Sequence, residues 1–305
     1  MTSVAAPASP EPAPAPGRPA EIEEWSNRRL VHPLSRALVG ALIPTGIAPN
    51  AVSALGTVMA ALAGSAFVLL PWPASAGVGA AFLLGWHVFD GADGDLARRT
   101  GRASPNGELV DGICDHLGQA AVYIAFAVML WPRLGPWALV LPTAAGVSRM
   151  VQASAYEGCR RNYRRWVYGA RWIRQTLPTL EGTAKGPLDR LKIALARLYV
   201  TVSTGASADD RGVEAAMARA LAPGGDAAAA ARALYQARFQ PLVKRASGLS
   251  ANYRSLAMVV AVLAGAPILF PLWEIVALNL GLLALRRAEA RANATLVSAL
   301  EAAAG

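Results

Sequence analysis

The chain carries apolar runs about as long as a lipid bilayer is thick, and this limits the folds open to it more than any other feature. Ala51–Leu70 is the clearest run, introduced by Pro49-Asn50 and closed by Pro71-Trp72-Pro73. A helix needs about 20 apolar residues to cross the hydrocarbon layer. A second run, Ala76–Phe89, continues in helical register into a charged stretch ending near Arg98. Further runs cover Leu109–Trp131, Gly135 to about Tyr156, Leu256–Leu272 and the short Ile275–Leu285. The expected fold is therefore all-α: a polytopic transmembrane helix bundle of about six spans with a cytoplasmic helical insertion. Composition agrees, since 54% of residues are hydrophobic and only 16% are charged, against ~25% charged in soluble domains.

The remaining segments divide the chain. Residues 1–20 alternate Ala and Pro, which builds neither core nor helix, and are expected to be a disordered tail with no secretory signal peptide. Residues 21–48 read as a juxtamembrane amphipathic helix, with Trp25, Leu30, Leu34, Leu38 and Leu42 at helical spacing. Residues 49–157 hold spans one to four. Residues 158–250 are too charged for a bilayer and are broken at Pro223–Gly225, so they read as a cytoplasmic helical insertion. Residues 251–305 hold spans five and six and a C-terminal tail.

A net charge of +9 fits a basic cytoplasmic face better than nucleic-acid binding, because the arginines crowd the ends of apolar runs. The loops expected at 71–75, 132–134 and 273–274 contain only Arg133 and Glu274 as charged residues. The positive-inside rule then places both termini and the insertion in the cytoplasm. Cys114 and Cys159 form no CxxC pair, so neither a zinc site nor a disulfide framework is indicated.

Chemistry concentrates in Asp90–His116, DGADGDLARRTGRASPNGELVDGICDH. Asp90 and Asp93 are three apart, and Asp111 and Asp115 four apart, so each pair shares a helical face. A short Gly/Pro/Ser-containing turn joins the two helices and brings the acidic faces together. Four carboxylates at membrane depth cannot all ionise without compensation. One or two hard divalent cations with oxygen ligands, magnesium or manganese beside a phosphate-bearing substrate, would supply it. Gly94 and Ala97 leave room beside the backbone, Arg98 offers a fork suited to a diphosphate, and Gly107 clears space at the start of the next helix. His87 and His116 read as structural or packing residues, His32 carries no signal, and Asp95 and Glu108 read as solvated or headgroup-facing.

The pattern D-x2-D-G-x2-A-R-x8-G-x3-D-x3-D is matched without departure at Asp90, Asp93, Gly94, Ala97, Arg98, Gly107, Asp111 and Asp115. It resembles the signature of the CDP-alcohol phosphotransferase family over roughly residues 30–157 and 250–297. Pro49-Asn50 is similar to that family's Pro-Asn before the first span. The resemblance implies six transmembrane helices, a cytoplasmic active site and often a homodimer. It implies that Asp90, Asp93, Asp111 and Asp115 ligate the metals, with Asp115 also the base that takes the acceptor's proton. Gly94, Ala97 and Arg98 would form the CDP pocket, with Gly107 beside them.

Two donor classes share such a core. One couples CDP-diacylglycerol to a soluble alcohol; the other couples CDP-choline or CDP-ethanolamine to a lipid alcohol such as diacylglycerol. The stretch from Ser104 to Asp111 is similar to the second branch, but Gly112 stands where that branch usually carries His. The reading adopted is a CDP-diacylglycerol donor in phospholipid biosynthesis, with Arg149 and Arg254, cations inside apolar spans, binding a phosphate-bearing acceptor. The Arg160, Arg161, Arg164, Arg165 cluster reads as a headgroup anchor. A non-catalytic scaffold or transporter is the competing class, and it would want a polar path across the bilayer.

Overall fold

The computed structural model describes residues 19–170 and 211–304. The 1–18 part of the expected tail and the 171–210 part of the expected insertion lie outside the described residues. The described chain is all-α, with no strand among the described residues. A π-turn at Asn27–Val31 leads into α1 (His32–Leu42). Then come α2 (Pro49–Leu69), α3 (Ala74–Arg99), α4 (Pro105–Leu134) and α5 (Trp137–Tyr168). After residue 210 follow α6 (Arg211–Leu221), α7 (Gly225–Ala246), α8 (Ala251–Leu263) and α9 (Leu269–Trp273). A π-helical stretch, Glu274–Leu278, joins α9 to α10 (Asn279–Ala304).

Helix ends follow local chemistry. Pro49 opens α2, where its missing N–H costs nothing. At α4 the Ser104 hydroxyl accepts from the Gly107 amide at 3.1 Å and Pro105 takes the first position. Gly169, at φ +70°, closes α5 in the left-handed conformation glycine adopts without a Cβ penalty. Among the described residues, three helical segments are long and apolar enough to cross a membrane: Pro49–Leu69, Val110–Leu134 and Leu269–Ala303. On α4 the exposed Leu117, Ile124, Val128 and Trp131 form one stripe, the kind of contiguous apolar surface that water does not tolerate and lipid does.

The last spans differ from the sequence reading. The reversal falls at 264–268, with Gly265 at φ +64° and Pro267, and not at 273–274. Glu274 is thus not a loop charge. It lies inside the returning helix, fully buried, where Arg254 neutralises it.

Two main cores organise the bundle. Ala60, Phe67, Leu83, Trp86, Phe126 and Phe270 pack the membrane part among α2, α3, α4 and α9. Close approach of α2 and α4 depends on small residues: a Cβ on Gly118 would stand 3.0 Å from that of Ala60. The second core joins the lower half of α5 to α6, α7 and α10 through Tyr163, Trp166, Met217, Tyr235 and Leu296. α5 therefore runs from the first core into the second and continues past residue 157 to Tyr168.

Candidate active site

α3 descends to the site carrying Asp90 and Asp93, and α4 leaves it carrying Asp111 and Asp115. The carboxyls meet in two hydrogen-bonded pairs across these helices, Asp90 with Asp115 and Asp93 with Asp111. Asp90 also lies within electrostatic range of the other three. Asp93 is buried, Asp111 and Asp115 are half-buried, and Asp90, although hemmed in by protein, faces an opening. The four therefore line a cleft rather than a closed core.

Neighbouring elements fix these side chains. Ser53 of α2 donates a 2.5 Å hydrogen bond to Asp93 Oδ2, and the Gly94 amide donates to Asp93 Oδ1. The Trp86 side chain bonds Asp115, and its indole stacks on His87 at 5.3 Å. Thr57 donates to the Cys114 carbonyl at 2.9 Å, tying α2 to α4 beside the cleft. Ser53 and Trp86 escaped the sequence reading; the only signal was their helical register with Pro49 and Asp90.

Gly94 is half-buried, with the Arg98 guanidinium folded back over it: Nη1 stands 3.3 Å from where a Cβ would be. Ala97 is half-buried one turn on, and Gly107 sits close to Asn50, whose Oδ1 is 3.7 Å from the Cβ position. His116 turns to its own helix, with Nδ1 2.6 Å from the Gly112 carbonyl. His87 pairs with the Ser255 hydroxyl at 2.8 Å.

The two span arginines separate. Arg254, expected to face the acceptor, has its nitrogens engaged elsewhere: Nε with Glu274 Oε1 at 2.7 Å, Nη2 with Gln152 Oε1 at 2.7 Å, and Nη1 with the Leu249 carbonyl. Tyr123 donates to the other Glu274 oxygen. Gln152 continues the network to Asn279 at 2.8 Å. Arg149 is only 8% exposed. It forms no hydrogen bond or ion pair among the described residues and lies in electrostatic range of Tyr123, Arg254, Glu274 and Asp115.

The donor set suits a hard divalent cation, because it offers carboxyl oxygens and a serine hydroxyl and no nitrogen or sulfur ligand. Hydrogen-bonded carboxyl pairs must share protons unless a cation takes their place. They stand as pairs and not as a ready-made cage: among the described residues no group of three or more His, Cys, Asp or Glu is set to hold a metal ion. Chemically the carboxyls could accept a proton, and with a divalent cation held between them they could offset the charge of a diphosphate beside it.

Comparison with known families finds that the profile described as CDP-alcohol phosphatidyltransferase matches residues 47–211, more than half of the chain and spanning the whole aspartate segment. A search of curated proteins finds no significant match.

Proposed function

This chain belongs to the CDP-alcohol phosphatidyltransferase family, and we propose that it transfers a phosphatidyl group from CDP-diacylglycerol to a small phosphate-bearing alcohol, releasing CMP, in phospholipid biosynthesis. Membership makes it a transferase of substituted phosphate groups acting on CDP-alcohols. The family is generally dependent on divalent metal.

In this reading Asp90, Asp93, Asp111 and Asp115 hold magnesium or manganese, which when bound offsets the diphosphate's charge and makes CMP a better leaving group. Asp115 takes the proton from the acceptor hydroxyl. The acceptor oxygen then bonds the phosphatidyl phosphorus as the bond from that phosphorus to the oxygen of CMP breaks. Gly94, Ala97 and Gly107 leave space for the CDP group, and Arg98 pairs with its phosphates. The cleft and both termini face the cytoplasm, the exposed apolar stripes contact membrane lipid, and a homodimer is the expected assembly.

The observation that carries the choice of acceptor is Arg149, a buried cation beside Asp115 with no hydrogen-bonding partner among the described residues. A desolvated cation so placed needs an anion, and the aspartates are committed to metal. Arg254 belongs instead to a buried network with Glu274 and Gln152, within electrostatic range of Arg149. A lipid-alcohol acceptor would leave Arg149 uncompensated, which counts against the CDP-choline or CDP-ethanolamine alternative.

The test is CMP release by purified protein over a panel of CDP-donors and alcohols with and without divalent metal. Asp115→Asn is expected to abolish turnover and retain donor binding, because asparagine keeps the size and cannot take the proton. Asp90→Asn is expected to weaken metal and donor binding together. Near-normal turnover in Asp115→Asn would remove it as the base, and metal-independent silence across the panel would favour a scaffold or transporter.

A further inference from the structure

Trp86 stands one turn before Asp90 on α3 and is only 5% exposed, so its indole N–H must find its acceptor inside the protein. The pyrrole edge of the ring lies in a seam between α2 and α4 that two glycines open. A Cβ on Gly56 would lie 3.6 Å from Trp86 Cδ1, and a Cβ on Gly118 would lie 3.6 Å from Trp86 Cε2. Nε1 is covalently bonded to both of these carbons, so the N–H edge sits in the seam. Gly118 follows Asp115 by three residues and shares its face of α4.

The seam and the ring are both held. Thr57, next to Gly56, donates to the Cys114 carbonyl at 2.9 Å, one residue before Asp115. His87 stacks on the indole with ring centroids 5.3 Å apart and planes 15° apart. Ser255 of α8 pairs with His87 Nε2 at 2.8 Å. The acceptor that the indole meets is the Asp115 carboxyl.

A neutral donor suits this place better than a cation. A guanidinium would form a charge-assisted pair with the carboxylate and oppose a metal ion for its charge. An indole has one N–H and no charge, and a carboxylate has about four lone-pair positions. One is used to fix direction, and the rest stay open to a cation and to a proton. Ser53 treats Asp93 in the same way, with a neutral hydroxyl from α2. We propose that Trp86 is a positioning residue for the transfer reaction: its N–H, set by the Gly56–Gly118 seam, holds the Asp115 carboxyl toward the acceptor hydroxyl. This rests on the transferase reading above, in which Asp115 takes the acceptor's proton.

The test compares full-length wild type, Trp86→Phe and a protein carrying the benzothiophene analogue of tryptophan at position 86, all in nanodiscs. The analogue keeps the shape of the ring and has sulfur in place of N–H. Loss of a hydrogen bond to a charged group predicts kcat lowered about tenfold or more in both altered proteins, with the KM of donor and acceptor nearly unchanged. A packing role alone predicts normal turnover with the analogue and a loss only in Trp86→Phe, and that result overturns the proposal, as does unchanged kcat in both. A second readout needs no turnover: the resonance Raman signal of the indole N–H, isolated as wild type minus Trp86→Phe. An N–H that is hydrogen-bonded in wild type and free in an Asp115→Leu background supports the bond, and one that is free in wild type overturns it. Silence of wild type across all CDP-donors overturns the transferase reading itself, and the Raman comparison then still decides whether Trp86 holds Asp115.

Discussion

Arg254 Nε lies 2.7 Å from Glu274 Oε1, and neither side chain touches solvent. Two helices that meet at the 264–268 reversal are thereby locked at a depth where an unpaired charge is costly. Removing one partner of a buried pair typically costs about 3–5 kcal/mol, whereas replacing both by apolar residues is often neutral. Glu274→Ala is expected to lower the thermal transition of the purified protein sharply, and the double variant Arg254→Met/Glu274→Leu to recover most of it. Equal losses in the single and double variants would show that the pair is not what the fold depends on.

Ser53 offers a second test. Its hydroxyl donates to Asp93 from α2, 40 residues away, and fixes the direction of a carboxyl that would otherwise have several rotamers. A hydrogen bond to a charged group is worth about 1.5–3 kcal/mol. Ser53→Ala is therefore expected to reduce kcat/KM about tenfold or more and to raise the magnesium concentration needed for half-maximal rate, with little change in the acceptor's KM. A variant with wild-type metal dependence would detach Ser53 from the site.

What could be read from the sequence was what is local. The pairing of Asp90 with Asp93 and of Asp111 with Asp115 is arithmetic on one helix, and the turn between them is written in Gly101 to Gly107. Contacts between distant segments have no such arithmetic. Glu274 looked like the boundary of a span because acids rarely survive in one, and its neutralising partner lies on another helix. Gly265 and Pro267 carried the true reversal but sit inside an apolar stretch that reads as continuous. Glu21, Glu23 and Glu24 read as the acidic start of a surface helix. Instead Glu21 receives bonds from Tyr163 and Tyr168, and Glu24 from Tyr156, so the N-terminal segment clasps α5.

That clasp makes stability depend on pH. Glu24 accepts from Tyr156 at 2.7 Å, Ser250 at 2.9 Å and Asn252 at 3.1 Å. Burial raises its pKa, and the hydrogen bonds offset this only in part. A carboxyl whose folded pKa is raised binds its proton more tightly in the native state. Its contribution is full below the ordinary value of 4.5 and is lost as pH rises through the higher folded value. Tryptophan-monitored unfolding from pH 7.5 down to 4.5 should show wild type gaining stability relative to Glu24→Gln, which cannot titrate. Parallel pH profiles for the two proteins would remove Glu24 as the source.

Arg149 is the residue on which the choice of acceptor turns. It sits on α5 facing the aspartates, 8% exposed, with Glu274 already engaged by Arg254 and Tyr123 through its two oxygens. Glu274 therefore acts on Arg149 at a distance and not by contact, and in the proposed reading an incoming phosphate supplies the missing acceptor oxygens. Truncating it removes a contact to one substrate only, so the effect should fall on the acceptor. Arg149→Ala is expected to raise the acceptor's KM more than about tenfold with the donor's nearly unchanged, as loss of a desolvated charge-assisted contact requires. Arg149→Lys should recover part of the loss as a point charge without the fork. An alcohol acceptor without phosphate should be used no better by wild type than by Arg149→Ala. A rise in the donor's KM instead would move Arg149 to the CDP side of the cleft and reopen the lipid-alcohol acceptor.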